Sequence, residues 1–158
     1  MTFITQVLNG LQLGSIYALV ALGYTMVYGI ILLLNFAHGD IIMVGAYISW
    51  LVMSKLGLNP AIAVVLSIVG CMLLGVLIDK VAYAPLRDAP RLSILITAIG
   101  VSYFLENGSQ LLFGADAKVV PAYTSVSNIQ VGDLTLSFSA IVTVVVTAVA
   151  TVVLTFLV

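Results

Sequence analysis

Residues 7–53 read VLNGLQLGSIYALVALGYTMVYGIILLLNFAHGDIIMVGAYISWLVM, two apolar runs separated by a polar interruption from Asn35 to Asp40. At 1.5 Å per residue, a helix from 7 to 34 is about 42 Å long and one from 41 to 53 about 20 Å. Against about 30 Å of hydrocarbon, the first is too long for one untilted span and the second too short. Together they nearly suit two spans, which sets at least part of the interruption at membrane depth. The residue types fit a broken helix: Asn35 can end one segment, Gly39 frees the backbone, and Asp40 can cap the next helix, favoured by its positive end. The bland alternative is a plain cytoplasmic turn with a capping Asp40 and a solvated His38.

Composition widens this reading to the whole chain. Of 158 residues 63% are hydrophobic and 7% charged, whereas a soluble domain carries about 25% charged residues. A water-soluble fold is nearly excluded. The net charge of −1 offers no basic surface for nucleic acid. MTFITQ has no basic residue ahead of the first apolar block, so no cleavable leader is expected. Cys71 is the single cysteine, with no intrachain disulfide partner and no neighbouring metal-ligand spacing, and reads as a small packing residue.

Asn59 and Pro60 supply a cap and first-turn signal for a helix to about Ile78. Leu92 to Phe113 and Phe138 to Val158 make two further segments. Between 79 and 91, DKVAYAPLRDAPR holds three of the five basic residues, so this loop is expected in the cytoplasm. Residues 114–137, with Asp116 and Asp133 against Lys118, are then expected outside. Within them Ile129 and Val131 alternate with polar residues, as do Leu134 and Leu136 beyond Gly132 and Asp133, the pattern of a hairpin on a two-residue turn. No Lys, Arg, Trp or Tyr anchor follows the last apolar residue, so the chain is expected to be cut short. The side of the amino terminus stays open: two spans before Lys55 place Met1 outside, a re-entrant element inside. The expected fold is all-α, a polytopic transmembrane helical bundle of about five membrane segments, one broken near residues 35–40, with a short external β-hairpin, forming a single transmembrane domain over 1–158.

Backbone is irregular within a bilayer only where protein or a water-filled cavity surrounds it, and transporters set such breaks beside the substrate path. Asn35, His38, Gly39 and Asp40 are therefore candidate pathway residues. Glu106 joins them as a candidate pathway residue, and by itself reads as either a snorkelling interfacial residue or a buried hydrogen-bonding anchor. Gly10, Gly14 and Ala18 form a small-residue stripe that would let a helix approach closely, and Ser67, Cys71 and Gly75 form another. Ser139, Thr143, Thr147, Thr151 and Thr155 recur every four residues. Each hydroxyl can bond the carbonyl one turn back, so a packing face is favoured over a pore lining. No nucleophile with a base, no paired carboxylates and no phosphate loop can be assembled. The chain reads as neither an enzyme nor a metal or cofactor binder.

The stretch LNFAHGDIIMVGAY at 34–47, with NGLQLGSIYALVALGYTMVYGI at 9–30, VAYAPLR at 81–87 and ITAIGVSYFLEN at 96–107, resembles the permease subunits of high-affinity branched-chain amino-acid ABC importers. The resemblance implies a subunit of the cytoplasmic (inner) membrane that moves leucine, isoleucine or valine. Its implied partners are a second permease subunit, two cytoplasmic ATP-binding subunits that hold the ATP, and an external solute-binding protein. The family's motif positions fall here on Asn35, Phe36, Ala37, His38, Gly39, Gly45, Ala46 and Tyr47, which adds Gly45 and Tyr47 to the candidate pathway. Members are nearly twice as long and continue into a basic coupling loop and further helices. Some carry urea or short amides, which the motif does not separate from amino acids. A passive homo-oligomeric channel and a non-functional fragment are the readings from other classes.

Overall fold

The computed structural model describes residues 3–31, 35–121, 123, 129–131, 134–136 and 138–157. Helix α1 runs Phe3–Ile31. Helix α2 runs His38–Trp50 and continues as a π-helical turn over Leu51–Lys55. Helix α3, Pro60–Ile78, likewise continues as a π turn, Asp79–Tyr83, and a 3₁₀ turn, Ala84–Leu86. Helix α4 covers Arg91–Phe113 and α5 Phe138–Leu157. Strands β1, Ile129–Val131, and β2, Leu134–Leu136, pair antiparallel with Ile129 opposite Leu136. The expected turn at Gly132 and Asp133 lies outside the described residues, as do 32–34. Among the described residues, three helical stretches are long and apolar enough to cross a membrane: Gln6–Gly29, Pro60–Leu86 and Phe138–Phe156.

Local chemistry explains most of these boundaries. Asn59 Oδ1 accepts the Ala61 N–H at 2.9 Å and Pro60 takes the first helical position, where its missing N–H costs nothing. Gly114 ends α4 at φ 80°, a left-handed backbone that other residues adopt at a cost, and donates its N–H to Gln110 at 2.8 Å. Two expectations change. Asp40 does not cap α2: the cap position is Ala37, because Asn35 Oδ1 accepts the Ala37 N–H at 3.1 Å and closes the turn upstream. With its π turn, α2 occupies 38–55, about 27 Å, so the shortness of the second segment disappears, while α1, 29 residues long, keeps the excess length of the first. The presumed cytoplasmic loop is also shorter than expected, since 79–86 prolong α3.

The chain divides into two compact units. In the first, α1 and α5 meet where the Thr147 hydroxyl lies 3.3 Å from the Ser15 carbonyl. Both residues are buried. In the second, Ile30–Tyr123, α2 packs on α3 through a ladder. Ser49 donates to Ser67 Oγ at 2.7 Å, Ser67 donates to the Gly45 carbonyl at 3.1 Å, and Cys71 Sγ lies 3.4 Å from the Ile41 carbonyl. Acceptors climbing α2 in steps of four meet donors descending α3, so the helices run antiparallel. A Cβ on Gly45 would lie 2.8 Å from Cys71 Sγ, and one on Gly70 would collide with Ile48 Cδ1. Val52, Met53 and Ala63 form one buried cluster, and Ile78, Tyr83 and Ala98 another, which brings α4 against the end of α3. By contrast, among the described residues no neighbouring side chain or facing helix comes within 4 Å of a Cβ built on Gly10 or Gly14. Among the described residues, close approach between helices is found at Gly45 and Gly70.

Candidate functional site

The candidate residues sort to the two ends of α2. At its start, Asn35 does two things with one oxygen: Oδ1 accepts the Ala37 N–H and also the Tyr83 hydroxyl at 2.8 Å. This ties the turn to the π turn that ends α3. His38, the first residue of α2, is half-buried and engaged. Gly39 is exposed and faces open space. Asp40, one residue on, is 7% exposed, and its Oδ2 has no hydrogen-bond partner among the described residues. A buried polar atom left unmatched costs about 1–3 kcal/mol, and more when charged. It is poised to gain from any donor brought to it.

At the far end of α2 the chemistry turns aromatic and charged. Tyr47 stacks on Phe113 with ring centroids 4.6 Å apart, and Trp50 meets the same ring edge-on at 6.2 Å. Lys55 and Lys118 each hold their Nζ 5.7 Å from the Trp50 ring centre, within cation–π range. Beside this cluster open two adjoining cavities of about 310 Å³ each, which share Met43, Tyr47 and Ala115. One is lined also by Glu106, Ser109 and Gln110, the other by Trp50, Asp116 and Lys118. Glu106 is exposed and forms no ion pair among the described residues, so it lines this space instead of anchoring a buried network.

Of the candidate residues, then, the fold brings Tyr47 and Glu106 together, joins Asn35 to Tyr83, and spends Gly45 on the contact with α3. Met43, Trp50, Tyr83, Asp116 and Lys118 were not singled out from the sequence as site residues. Tyr47 and Trp50 carried a usable signal, being three apart on one helix. Lys118 carried none, because a loop has no period. Among the described residues no cluster of His, Cys, Asp or Glu could hold a metal ion.

Comparison with known proteins agrees with this architecture. A family described as "Branched-chain amino acid transport system / permease component" matches residues 6–158. The chain is 43% identical over 128 residues to the high-affinity branched-chain amino acid transport system permease protein LivH of Escherichia coli K12, covering 76% of this chain and 42% of the relative. LivH of Salmonella typhimurium is 42% identical over the same shares. BraD of Pseudomonas aeruginosa, named as the same kind of permease, is 43% identical over 127 residues, 75% of this chain and 41% of the relative. The chain thus spans less than half the length of the relatives it matches, and no solved structure matches it. With a family match from Gln6 to Val158, this chain belongs to the permease component family of branched-chain amino acid transport systems.

Proposed function

We propose that the chain forms the amino-terminal part of a permease subunit that moves leucine, isoleucine or valine across the cytoplasmic membrane, with energy supplied by partner chains. The carrying observation is the family match across residues 6–158. The partners in this reading are a second permease subunit, two cytoplasmic subunits that bind and hydrolyse ATP, and an external solute-binding protein. The permease itself performs no chemistry and holds no cofactor.

The structure suits a path along α2. Asn35 is tied to Tyr83 in the segment 79–91 that bears Lys80, Arg87 and Arg91, which the positive-inside bias assigns to the cytoplasm. The Trp50 and Lys118 end then faces outward, where Trp and Tyr commonly sit at the membrane surface. In this reading Asp40, with its unmatched oxygen, pairs with the ammonium group of a passing amino acid near the inner end. Gly39 leaves room for it. First-turn amides of α2, lacking intrahelical partners as at every helix start, supply donors for the carboxylate.

Uptake of radiolabelled leucine by the full-length permease with its partners tests this. Asp40→Ala and Gly39→Leu should each lower uptake at least about tenfold, the scale of one hydrogen bond to a charged group, with membrane insertion intact. Unchanged uptake in both removes the path from this end of α2. Uptake of urea but not leucine transfers the chain to the amide branch.

A further inference from the structure

The two adjoining cavities at the outer end of α2 have opposite chemical character on their separate walls and a common apolar floor. One wall carries Glu106, with the Gln110 amide and the buried Ser109 hydroxyl beside it. The other carries Lys118, held over Trp50. Met43 and Tyr47 are shared, and Tyr47 is fixed by its stack on Phe113. Each cavity, at about 310 Å³, is at the small end of ligand pockets, which start near 300 Å³.

An anion site would not carry Glu106 and Asp116, and a cation site would not carry Lys118. Among the described residues the ion pair is Arg87 with Asp79, away from this region, so neither Glu106 nor Lys118 is neutralised by a salt bridge. A small solute bearing both charges answers both walls at once. The apolar floor then takes a short aliphatic side chain. Asp116, on the Lys118 wall, disfavours a purely anionic solute.

We infer that these cavities form one entry subsite for an amino-acid zwitterion, Glu106 receiving the ammonium, Lys118 the carboxylate, and Met43 with Tyr47 the side chain. This deepens the permease reading and rests on it for the choice of an amino acid. The subsite lies at the opposite end of α2 from Asp40, so solute would meet a carboxylate at each end of the helix.

Trp50 lines the Lys118 cavity, so the fluorescence difference between the full-length permease and its Trp50→Phe variant reports occupancy. In lipid nanodiscs the emission should change saturably with free leucine. Leucinamide, which lacks the carboxylate, and 4-methylpentanoate, which lacks the ammonium, should bind at least about tenfold more weakly, as should leucine to Glu106→Gln and to Lys118→Gln. Glu106→Asp should recover part of the loss. Ala115 lines both cavities. In membranes holding the full-length permease, leucine should therefore shield Ala115→Cys from an impermeant maleimide, with the same ranking of analogues.

Absence of leucine protection up to about 10 mM, a tenfold excess over a millimolar Kd, overturns the inference, as does equal protection by all three solutes. If leucine uptake persists in that case, the transport reading stands and only the subsite falls. Protection by zwitterions without uptake of branched-chain amino acids supports the subsite and overturns the substrate assignment.

Discussion

Two stripes of small polar residues recur at every fourth position, Ser67, Cys71 and Gly75 on α3 and Ser139, Thr143, Thr147, Thr151 and Thr155 on α5, and their hydrogen bonds go to different places. On α5 each threonine hydroxyl turns back to the carbonyl four residues earlier, at 2.7 to 2.8 Å. The stripe satisfies itself. On α3, Ser67 and Cys71 reach across to α2 at Gly45 and Ile41, and Ser49 comes to meet them. The difference lies in the facing helix, where Gly45 removes the side chain that would hold the backbones apart. A spacing of four therefore marks a face, while a glycine on the neighbour decides whether that face is glued or merely polar. In a membrane this distinction matters more than in water, since lipid competes equally for apolar surface and close packing supplies the specificity.

The contrast breaks first at the glycines. Gly45→Leu and Gly70→Leu should each destabilise the Ile30–Tyr123 unit by about 1–3 kcal/mol, the cost of overpacking a filled contact, read as a lower unfolding midpoint in detergent. Gly10→Leu and Gly14→Leu on α1, where among the described residues no facing side chain or helix lies within 4 Å, should change it by less than about 0.5 kcal/mol. Equal losses at all four positions would erase the claim that close approach is confined to α2 and α3. Next comes Ser67→Ala, which removes both bonds to α2 and should cost about 1 kcal/mol, given about 0.6 kcal/mol on average for an interhelical bond in a membrane.

Thr147→Val tests the middle ground. Its hydroxyl lies 2.7 Å from the Thr143 carbonyl and 3.3 Å from that of Ser15, and one proton serves both. The shorter bond takes most of it, so Thr147→Val should cost about half as much as Ser67→Ala, about 0.5 kcal/mol. Thr151→Val, which loses only a bond within its own helix, should fall within about 0.3 kcal/mol of the parent. A thermal or denaturant series ordering these three otherwise would show that α5 contributes more to helix association than its hydrogen bonds indicate.

How much was readable beforehand follows the same division. Helix positions came from apolar length and cap chemistry, because Asn59 and Pro60 act locally and a span must reach across the bilayer. The back-bonding of the α5 threonines was legible for the same reason, each bond being internal to one helix. The cap of α2 was misassigned to Asp40, since Asn35 competes for the turn through its own side chain and nothing in the spacing ranks the two. The spacing of Gly10, Gly14 and Ala18 marked a stripe, but nothing in it told which glycines meet a facing helix, and Gly45 and Gly70 are identified only by the residues opposite them. The site divides likewise. Asn35 to Asp40 stood out as polar residues in an apolar setting, whereas the cavities join Tyr47 to Glu106 and Lys118, about 60 and 70 residues further along, and no period links a loop lysine to a helix that far away.

The π turn at Asp79–Tyr83 has a consequence for phase. Each residue of an α-helix advances the chain by about 100° around its axis, and a π turn takes up an extra residue that delays everything after it. The Tyr83 hydroxyl that donates to Asn35 Oδ1 sits at the end of this turn. Closing 79–83 into regular α geometry with every residue kept would swing Tyr83 about 100° around the axis, whereas deleting Val81 at the same time would bring it back into phase. The joint between the end of α3 and the start of α2 is thus an angular setting, like the timing mark on a shaft. A change of phase there would detune the start of α2 without removing any side chain that contacts it.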